Sequence, residues 1–307
     1  MHQHAPASSI SLRSATLSLL LAAALGGCQS AFFYPAQQHY GDPAEAGLVY
    51  EEVRFASADG TALHGWFLPA QSEPVHGTVI HFHGNAQNIS THVGAVWWLP
   101  RHGFNVLTFD YRGYGRSAGE PDFAGVHADA EAALEWARRD PRIALSRTVV
   151  LGQSLGASVA ITSLARWAGP SPAGVVAEGP FASYRGIARE KLAGFWLTWP
   201  LQYPLSWLVS DRFAPVDHVA ALAPVPLLVI VGGDDPIIPA EHGERLYGAA
   251  QEPRYLWRIE GAKHGAALAD PQVRERLVAT LRGWLEGAPD AARQAPAGPW
   301  DPVPPRP

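Results

Sequence analysis

The chain has 307 residues, of which 47% are apolar and 17% charged, with 11 tryptophans and a formal net charge of −5. This is enough apolar sequence for one large or two small domains with a buried core. The mildly acidic balance, without a basic block, excludes a nucleic-acid-binding protein. Cys28 is the single cysteine, so an intramolecular disulfide and a CxxC zinc site are excluded, although thirteen histidines leave other metal sites open.

Residues 1–27 predict a signal peptide. A weakly basic start precedes the apolar run 17–25, which is too short for a comfortable transmembrane helix. Residues 25–28, Leu-Gly-Gly-Cys, resemble the lipobox of bacterial lipoproteins, which implies lipidation of Cys28 and a membrane anchor outside the cytoplasm. In a Gram-negative cell, Gln29 resembles the sorting pattern for the periplasmic side of the outer membrane. A plain secretory signal and a free cysteine are the alternatives.

Residues 28–47 have the composition of a tether between anchor and domain, although the apolar residues 32–34 could equally pack on the domain. Alternating apolar and polar residues at 48–55 and 63–68, around an Asp-Gly turn, predict a β-hairpin. At the other end, residues 288–307 contain seven prolines, and we expect this tail to be disordered.

Between these ends, short apolar runs alternate with helical patterns. Such runs predict parallel strands buried on both faces, at 78–82, 106–109, 148–151, 174–177 and 227–231. Helices are expected at about 89–102, 123–139, 155–168, 240–250 and 271–286. The predicted fold is a doubly wound, mostly parallel α/β sheet with an antiparallel N-terminal hairpin, spanning residues 48–287.

The strand at 148–151 leads into a turn of the form G-x-S-x-G, residues 152–156, and then into a helix. A serine on so sharp a turn presents its hydroxyl at the top of the sheet, and flanking glycines let strand and helix approach closely. Ser154 is therefore a candidate nucleophile. The backbone NH of Leu155, at the helix N-terminus, is a candidate oxyanion donor. A glycine-flanked serine in an ordinary turn is the alternative.

The loops after two earlier strands also carry polar residues. Residues 83–86, His-Gly-Asn-Ala, follow a strand at the edge where a doubly wound sheet binds ligands. The glycine lets the backbone turn its NH groups toward Ser154, and Asn85 is the candidate for this second oxyanion donor. His81 and His83 could form a metal pair, but no third ligand cluster stands nearby in the sequence, so we expect no metal. In the loop 110–117 we expect Asp110 and the arginines to form an ion pair or a turn.

Taken together, these segments resemble the α/β-hydrolase superfamily, and more narrowly its HGN-type single-domain branch of serine aminopeptidase-like hydrolases, monoacylglycerol lipases and thioesterases. The segments are 83–86, 110–117, 152–156, 232–239 and 261–265, within a likeness over about 48–286. The resemblance implies Ser154, Asp235 and His264 as a catalytic triad, and Asn85 with Leu155 as the oxyanion donors.

The residues support this assignment independently. Asp235 follows the strand 227–231 and His264 follows a strand near 254–260, so both are expected at the same sheet edge as Ser154. Of the adjacent acids Asp234 and Asp235, the second lies four residues before Pro239, where the family places the catalytic acid.

Residues 180–224 separate two predicted strands and suit a short helical cap. Its aromatic residues either line an apolar acyl pocket or pack the cap onto the core; they are Phe181, Tyr184, Phe195, Trp196, Trp199, Tyr203, Trp207 and Phe213. The predicted function is a monomeric, lipid-anchored serine hydrolase that cleaves small or lipid-like esters or thioesters without cofactor. A peptidase or amidase of the same fold and a non-catalytic lipoprotein scaffold are the alternatives.

Overall fold

A computed structural model of the protein describes residues 32–294. The strands are β1 (Tyr34–Pro35), β2 (Glu51–Ala56), β3 (Ala62–Leu68), β4 (Gly77–Phe82), β5 (Ala86–Gln87), β6 (Phe104–Phe109), β7 (Thr148–Gln153), β8 (Gly174–Glu178), β9 (Leu227–Gly232) and β10 (Arg254–Ile259). Eight of them form one sheet in the order β10-β9-β8-β7-β4-β6-β3-β2, and β1 pairs with β5 separately. Only the pairs β2/β3 and β3/β6 are antiparallel in the main sheet, which confirms the predicted fold class.

The longer helices cover both faces of this sheet. They are α2 (Phe123–Arg139), α3 (Leu155–Arg166), α7 (Ala240–Ala249) and α8 (Pro271–Leu285). Side chains of α2, α3 and α7 pack into the core on one face, and those of α8 pack into the core on the other. Every residue of β7 and β9 is buried, because strands covered on both sides have no solvent-facing residue. These four helices begin and end within two residues of the predicted bounds.

The predicted helix over 89–102 is wrong as a continuous element. The segment forms α1 (Ile89–His92) and two 3₁₀ turns at Val93–Ala95 and Leu99–His102. Gly94 and Pro100 explain the interruption, since glycine is a poor helix former and proline lacks the NH that a continuous helix requires. Its apolar residues are nevertheless buried, so the pattern predicted the inward face correctly.

Several short helices make up the predicted cap between β8 and β9. They are α4 (Tyr184–Ala193), α5 (Gln202–Ser206) and α6 (Pro215–His218), with 3₁₀ turns at Trp199–Leu201 and Val219–Leu222. Across the described range 32–294, no helix is both long enough and apolar enough to cross a bilayer.

The two ends of the described chain pack against the domain. Phe33 is buried in the core and Phe32 packs against it. These two rings therefore pack on the domain and are not part of a free tether. The expectation of disorder from residue 288 is wrong for its first part: α9 (Ala291–Gln294) follows, and Ala292 is buried. Alanines are small enough to dock on α8 without a long apolar run. The predicted signal peptide, Cys28 and the tail beyond residue 294 lie outside the described residues.

Candidate active site

The turn between β7 and α3 holds Ser154 in a strained conformation, with φ +53° and ψ −115°. A side chain at positive φ is uncommon outside glycine and is typical of functional sites. Both flanking glycines are required by the packing. A Cβ on Gly156 would lie 2.1 Å from the carbonyl oxygen of Phe82, and one on Gly152 would lie 2.5 Å from the Cα of Ala157. The predicted sharp turn is therefore present, with the serine at its apex.

The structure brings the three predicted triad residues together at this edge of the sheet. His264 Nε2 lies 2.9 Å from Ser154 Oγ, and His264 Nδ1 lies 2.7 Å from Asp235 Oδ2. The side chain of Asp235 is 2% exposed and that of His264 is 18% exposed. The carboxylate thus orients the ring from a nearly dry position, while the other ring nitrogen faces the serine.

Two backbone donors hold the carboxylate of Asp235 in place. The NH groups of Ile237 and Ile238 donate to its Oδ1 at 2.8 and 2.9 Å, which leaves Oδ2 for the histidine. With the ring proton on Nδ1 donated to Oδ2, Nε2 is free to accept the proton of the Ser154 hydroxyl. This is the hydrogen-bond chain that nucleophilic catalysis by a serine needs.

The two predicted oxyanion donors come from separate elements. Leu155 is the first residue of α3, so its NH has no carbonyl within the helix to bind. The side-chain amide of Asn85 is already occupied. Its Oδ1 accepts from the hydroxyl of Tyr114 at 2.7 Å, and its Nδ2 donates to the carbonyl of Phe32 at 2.7 Å. The backbone NH of Asn85, not its side chain, is therefore the candidate donor. The anchoring of residues 32–34 by this amide was missed at the sequence level.

The loop residues expected to be structural make structural contacts. Asp110 is fully buried and accepts a hydrogen bond from the NH of Ile89 at 2.9 Å. Arg112 forms an ion pair with the buried Asp129, with a nitrogen to oxygen distance of 2.8 Å. These contacts hold the loop 110–117 against the first turn of α1 and against α2.

His81 and His83 have separate surroundings, and neither is arranged as a metal ligand with the other. His81 Nδ1 lies 3.0 Å from Thr108 Oγ1 and its Nε2 lies 3.2 Å from Gln153 Oε1. His83 Nδ1 donates to the carbonyl of Gly84 at 2.7 Å. Burial lowers the pKa of His81 to about 3 and that of His83 well below its usual value, so both rings are neutral. In the part of the chain that the structure describes, no three His, Cys, Asp or Glu side chains form a ligand cluster.

A buried acid beneath the serine was not predicted. Glu178, the last residue of β8, accepts from Gln153 Nε2 at 2.5 Å and from the NH of Leu268 at 3.2 Å. Its backbone carbonyl accepts from the NH of Ser154 at 2.8 Å. Burial raises the pKa of Glu178. Glu178 thereby joins the strand before the nucleophile to the loop after His264. A charged residue at the end of an otherwise apolar strand was the available signal.

The cap aromatics divide into two groups. Phe181, Tyr184 and Phe213 are buried in the core, in agreement with the packing interpretation. The other five are exposed, and neither interpretation describes them: Phe195, Trp196, Trp199, Tyr203 and Trp207.

Comparisons with known proteins agree with this fold. An esterase of Pyrococcus furiosus has a solved structure that matches with a TM-score of 0.64 at 22% identity, covering 83% of this chain and 96% of that one. The chain is 37% identical over 254 residues to the uncharacterized protein YfhR of Escherichia coli, covering 80% of this chain and 84% of YfhR. It is 31% identical over 222 residues to an alpha/beta hydrolase domain-containing protein of Arabidopsis thaliana, covering 69% and 71%. Fold and site together define a protein of the α/β-hydrolase class.

Within that class, the family model described as serine aminopeptidase, S33, matches residues 73–212. The chain belongs to this hydrolase family. The narrower resemblance stated from the motifs is confirmed to that extent, and the likeness to a lipoprotein stays a prediction.

Proposed function

We propose that this chain is a serine hydrolase that cleaves carboxylic esters or thioesters through an acyl-enzyme intermediate. The observation that carries the proposal is the hydrogen-bond chain from Ser154 Oγ through His264 to Asp235, with distances of 2.9 and 2.7 Å. A serine hydroxyl is a weak nucleophile unless an adjacent base removes its proton. The oriented His264 supplies this base, and the strained turn presents the hydroxyl of Ser154 to it.

The reaction follows from this geometry. Ser154 Oγ attacks the substrate carbonyl carbon while His264 Nε2 takes its proton, and the backbone NH groups of Leu155 and Asn85 are the candidate donors to the carbonyl oxygen. The imidazolium, stabilised by Asp235, then donates the proton to the leaving alcohol or thiol as the acyl-enzyme forms. Water, deprotonated by His264, attacks the acyl carbon, and the proton returns to Ser154 Oγ as the acid leaves.

An ester or thioester is favoured over a peptide by the structural neighbours. Two structural neighbours are described as esterases, from Pyrococcus furiosus and Rhodothermus marinus. The family description, serine aminopeptidase, keeps peptide hydrolysis as the second candidate.

Labelling with a fluorophosphonate probe tests the proposal. We expect the full chain to be labelled and Ser154→Ala to lose both labelling and ester hydrolysis, with kcat lower by about 10⁶-fold because the triad acts as a unit. The exposed Ser171, changed to alanine, is the matched control and should behave as the unsubstituted protein. Unchanged turnover of Ser154→Ala would contradict the proposal. A series of p-nitrophenyl esters against aminoacyl p-nitroanilides then separates esterase from peptidase.

We further propose that the protein is anchored by lipid at Cys28. The support is the position of the single cysteine directly after an apolar run of nine residues, 17–25, and a Leu-Gly-Gly sequence. Two or three acyl chains would give stable anchoring, since one chain alone binds a membrane marginally. The first described residue, Phe32, follows Cys28 by four positions, so the domain would lie close to the bilayer.

A further inference from the structure

The cap carries a large exposed apolar surface, formed by residues 195–208 and named here the cap surface. Trp196 is 79% exposed, Trp207 is 70% exposed and Trp199 is 61% exposed. Leucines at 197, 201 and 208 are about half-exposed beside them. Single exposed apolar side chains are common, but a contiguous group of this size on a soluble domain marks an interaction site.

The charge around this surface favours an anionic partner. Residues 195–210 contain no charged side chain, and the flanking residues Arg189, Lys191 and Arg212 are exposed. None of these three cations forms an ion pair within residues 32–294, and Arg189 lies 5.6 Å from the ring centre of Tyr203. The neighbouring acids are already bound within the domain. Glu190 contacts His242 at 3.0 Å, and Asp211 accepts from Ser183 at 2.9 Å. Residues 185–212 contain four basic and two acidic residues, a formal charge of +2, although the whole chain carries −5.

The first described residue, Phe32, packs against the same cap that carries the cap surface. The ring of Phe32 lies 5.4 Å from that of Tyr184, the first residue of α4, at the base of the cap. Phe32 follows Cys28 by four positions, a reach of at most about 14 Å. A membrane anchor at that cysteine would place the bilayer beside the cap.

The active-site edge adjoins the same segment. Lys191 Nζ, near the end of α4, donates to the carbonyl of Ile237 at 2.8 Å, and the NH of Ile237 holds the carboxylate of Asp235. A bilayer in contact with the cap would thus lie near the opening of the site.

We propose that the cap surface inserts into the headgroup region of an anionic lipid bilayer. Tryptophan and tyrosine prefer this region because their rings are apolar and their NH or OH groups reach water. Exposed leucines would enter the acyl boundary, and the three flanking cations would meet lipid phosphates. This surface combines aromatic and leucine side chains with a rim of net positive charge. The bilayer is the inferred occupant because the predicted anchor at Cys28 would place lipid beside the cap. The proposal does not depend on hydrolase activity.

The experiment uses the full chain with Cys28→Ser, which removes the anchor and the single native cysteine. Leu197→Cys, on the cap surface, carries an NBD fluorophore. Val49→Cys, 63% exposed and next to the edge strand β2 at the other end of the sheet from β9 and the cap, is the matched control. Both proteins are mixed with vesicles of phosphatidylethanolamine and phosphatidylglycerol. We expect the label at 197 to shift to the blue and to be quenched by nitroxide lipids labelled near the headgroup, and the label at 49 to do neither.

A second measurement removes the aromatic contacts. Trp196→Asp with Trp207→Asp, in the Cys28→Ser chain, should lower vesicle affinity by about 100-fold or more, since each buried aromatic side chain contributes about a tenfold change in partition or more. Val49→Asp is its control and should bind vesicles as before. The circular dichroism spectrum and the melting temperature report whether the doubly substituted protein is folded.

Three outcomes would overturn the proposal. The first is a label at 197 that vesicles do not change. The second is a blue-shifted label without vesicles whose shift depends on protein concentration, which would indicate a second copy on this surface. The third is a concentration-independent shift without vesicles, which would indicate that residues 1–31 cover it. Equal binding to purely zwitterionic vesicles would refute the role of the basic rim.

Discussion

The substitution Asp235→Asn should abolish most of the activity while leaving the fold intact, because the site fixes which way an amide would point. In the structure, Oδ1 of Asp235 accepts from the NH groups of Ile237 and Ile238 at 2.8 and 2.9 Å, and Oδ2 faces His264 Nδ1 at 2.7 Å. An asparagine must keep its oxygen toward the two NH donors. Its NH₂ group would then face His264 Nδ1.

That orientation forces the wrong tautomer of the histidine. Nδ1 must accept from the amide, so the proton moves to Nε2, which can no longer accept the proton of Ser154. Turning the amide around would lose two backbone hydrogen bonds, about 1 to 3 kcal/mol together, and would place NH₂ against two NH groups. The negative charge that stabilises the imidazolium is lost in either orientation. The equivalent change in a serine protease lowers kcat by about 10⁴-fold, or ~5.5 kcal/mol in the barrier.

Steady-state hydrolysis of one p-nitrophenyl ester by two variants measures this effect. We expect Asp235→Asn to lose about 10⁴-fold in kcat with a melting temperature close to that of the unsubstituted protein. Asp234 is exposed, and in the described part of the chain its side chain makes no hydrogen bond, so Asp234→Asn should cost less than about tenfold, or ~1.4 kcal/mol. The reverse ranking, or an Asp235→Asn enzyme within tenfold of normal, would refute this reasoning.

Three further predictions concern packing, pH and localisation. Gly156→Ala places a Cβ 2.1 Å from a backbone oxygen and should lower the free energy of unfolding by about 3 kcal/mol or more. Gly248→Ala, in the last turn of α7 with no atom within 4 Å of the new Cβ, should raise it by about 0.5 to 1 kcal/mol. Urea titration measures both free energies, and equal effects would contradict the packing argument. Burial lowers the pKa of His127 to about 3. The folded state therefore favours the neutral ring, and the stability that the neutral ring contributes above about pH 6.5 is lost as the pH falls toward 3. His127→Gln should reduce the slope of the free energy of unfolding against pH by about 1.4 kcal/mol per pH unit between about pH 6 and 4. An unchanged slope in urea titrations would show that the ring is not neutral when folded. Cys28→Ala combined with Trp196→Asp and Trp207→Asp, which remove the proposed cap contact, should release the protein from the membrane fraction after a high-salt wash, whereas the two tryptophan substitutions alone should leave it there. Full retention of the triple variant would count against lipidation.

Much of the fold could be predicted because its signals are local. Runs such as 149–151 and 227–231 are apolar on every residue, as a short strand covered on both faces requires. The turn at Ser154 was predictable because two glycines flank it, and the structure shows that neither position has room for a Cβ. The order of the strands then brought residues 154, 235 and 264 to one edge.

Other features depended on contacts between distant parts of the chain. Whether the amide of Asn85 faces the site or holds Phe32, 53 residues earlier, is a matter of tertiary packing. Glu178 likewise acquires its role from Leu268, 90 residues later. A helical period at 89–102 predicted which side chains are buried, but not that Gly94 and Pro100 would divide the segment.

The sequence by itself determined the sheet, the strained turn and the identity of the three residues that meet there, because apolar periodicity and glycine requirements act within a few residues. Only the tertiary structure decided where the cap aromatics lie. Phe181, Tyr184 and Phe213 are buried, whereas Trp196 and Trp207 are exposed, although all five belong to one aromatic segment. Burial of a side chain depends on which surface its element packs against, and an aromatic residue type does not by itself specify whether the ring faces the core or the solvent.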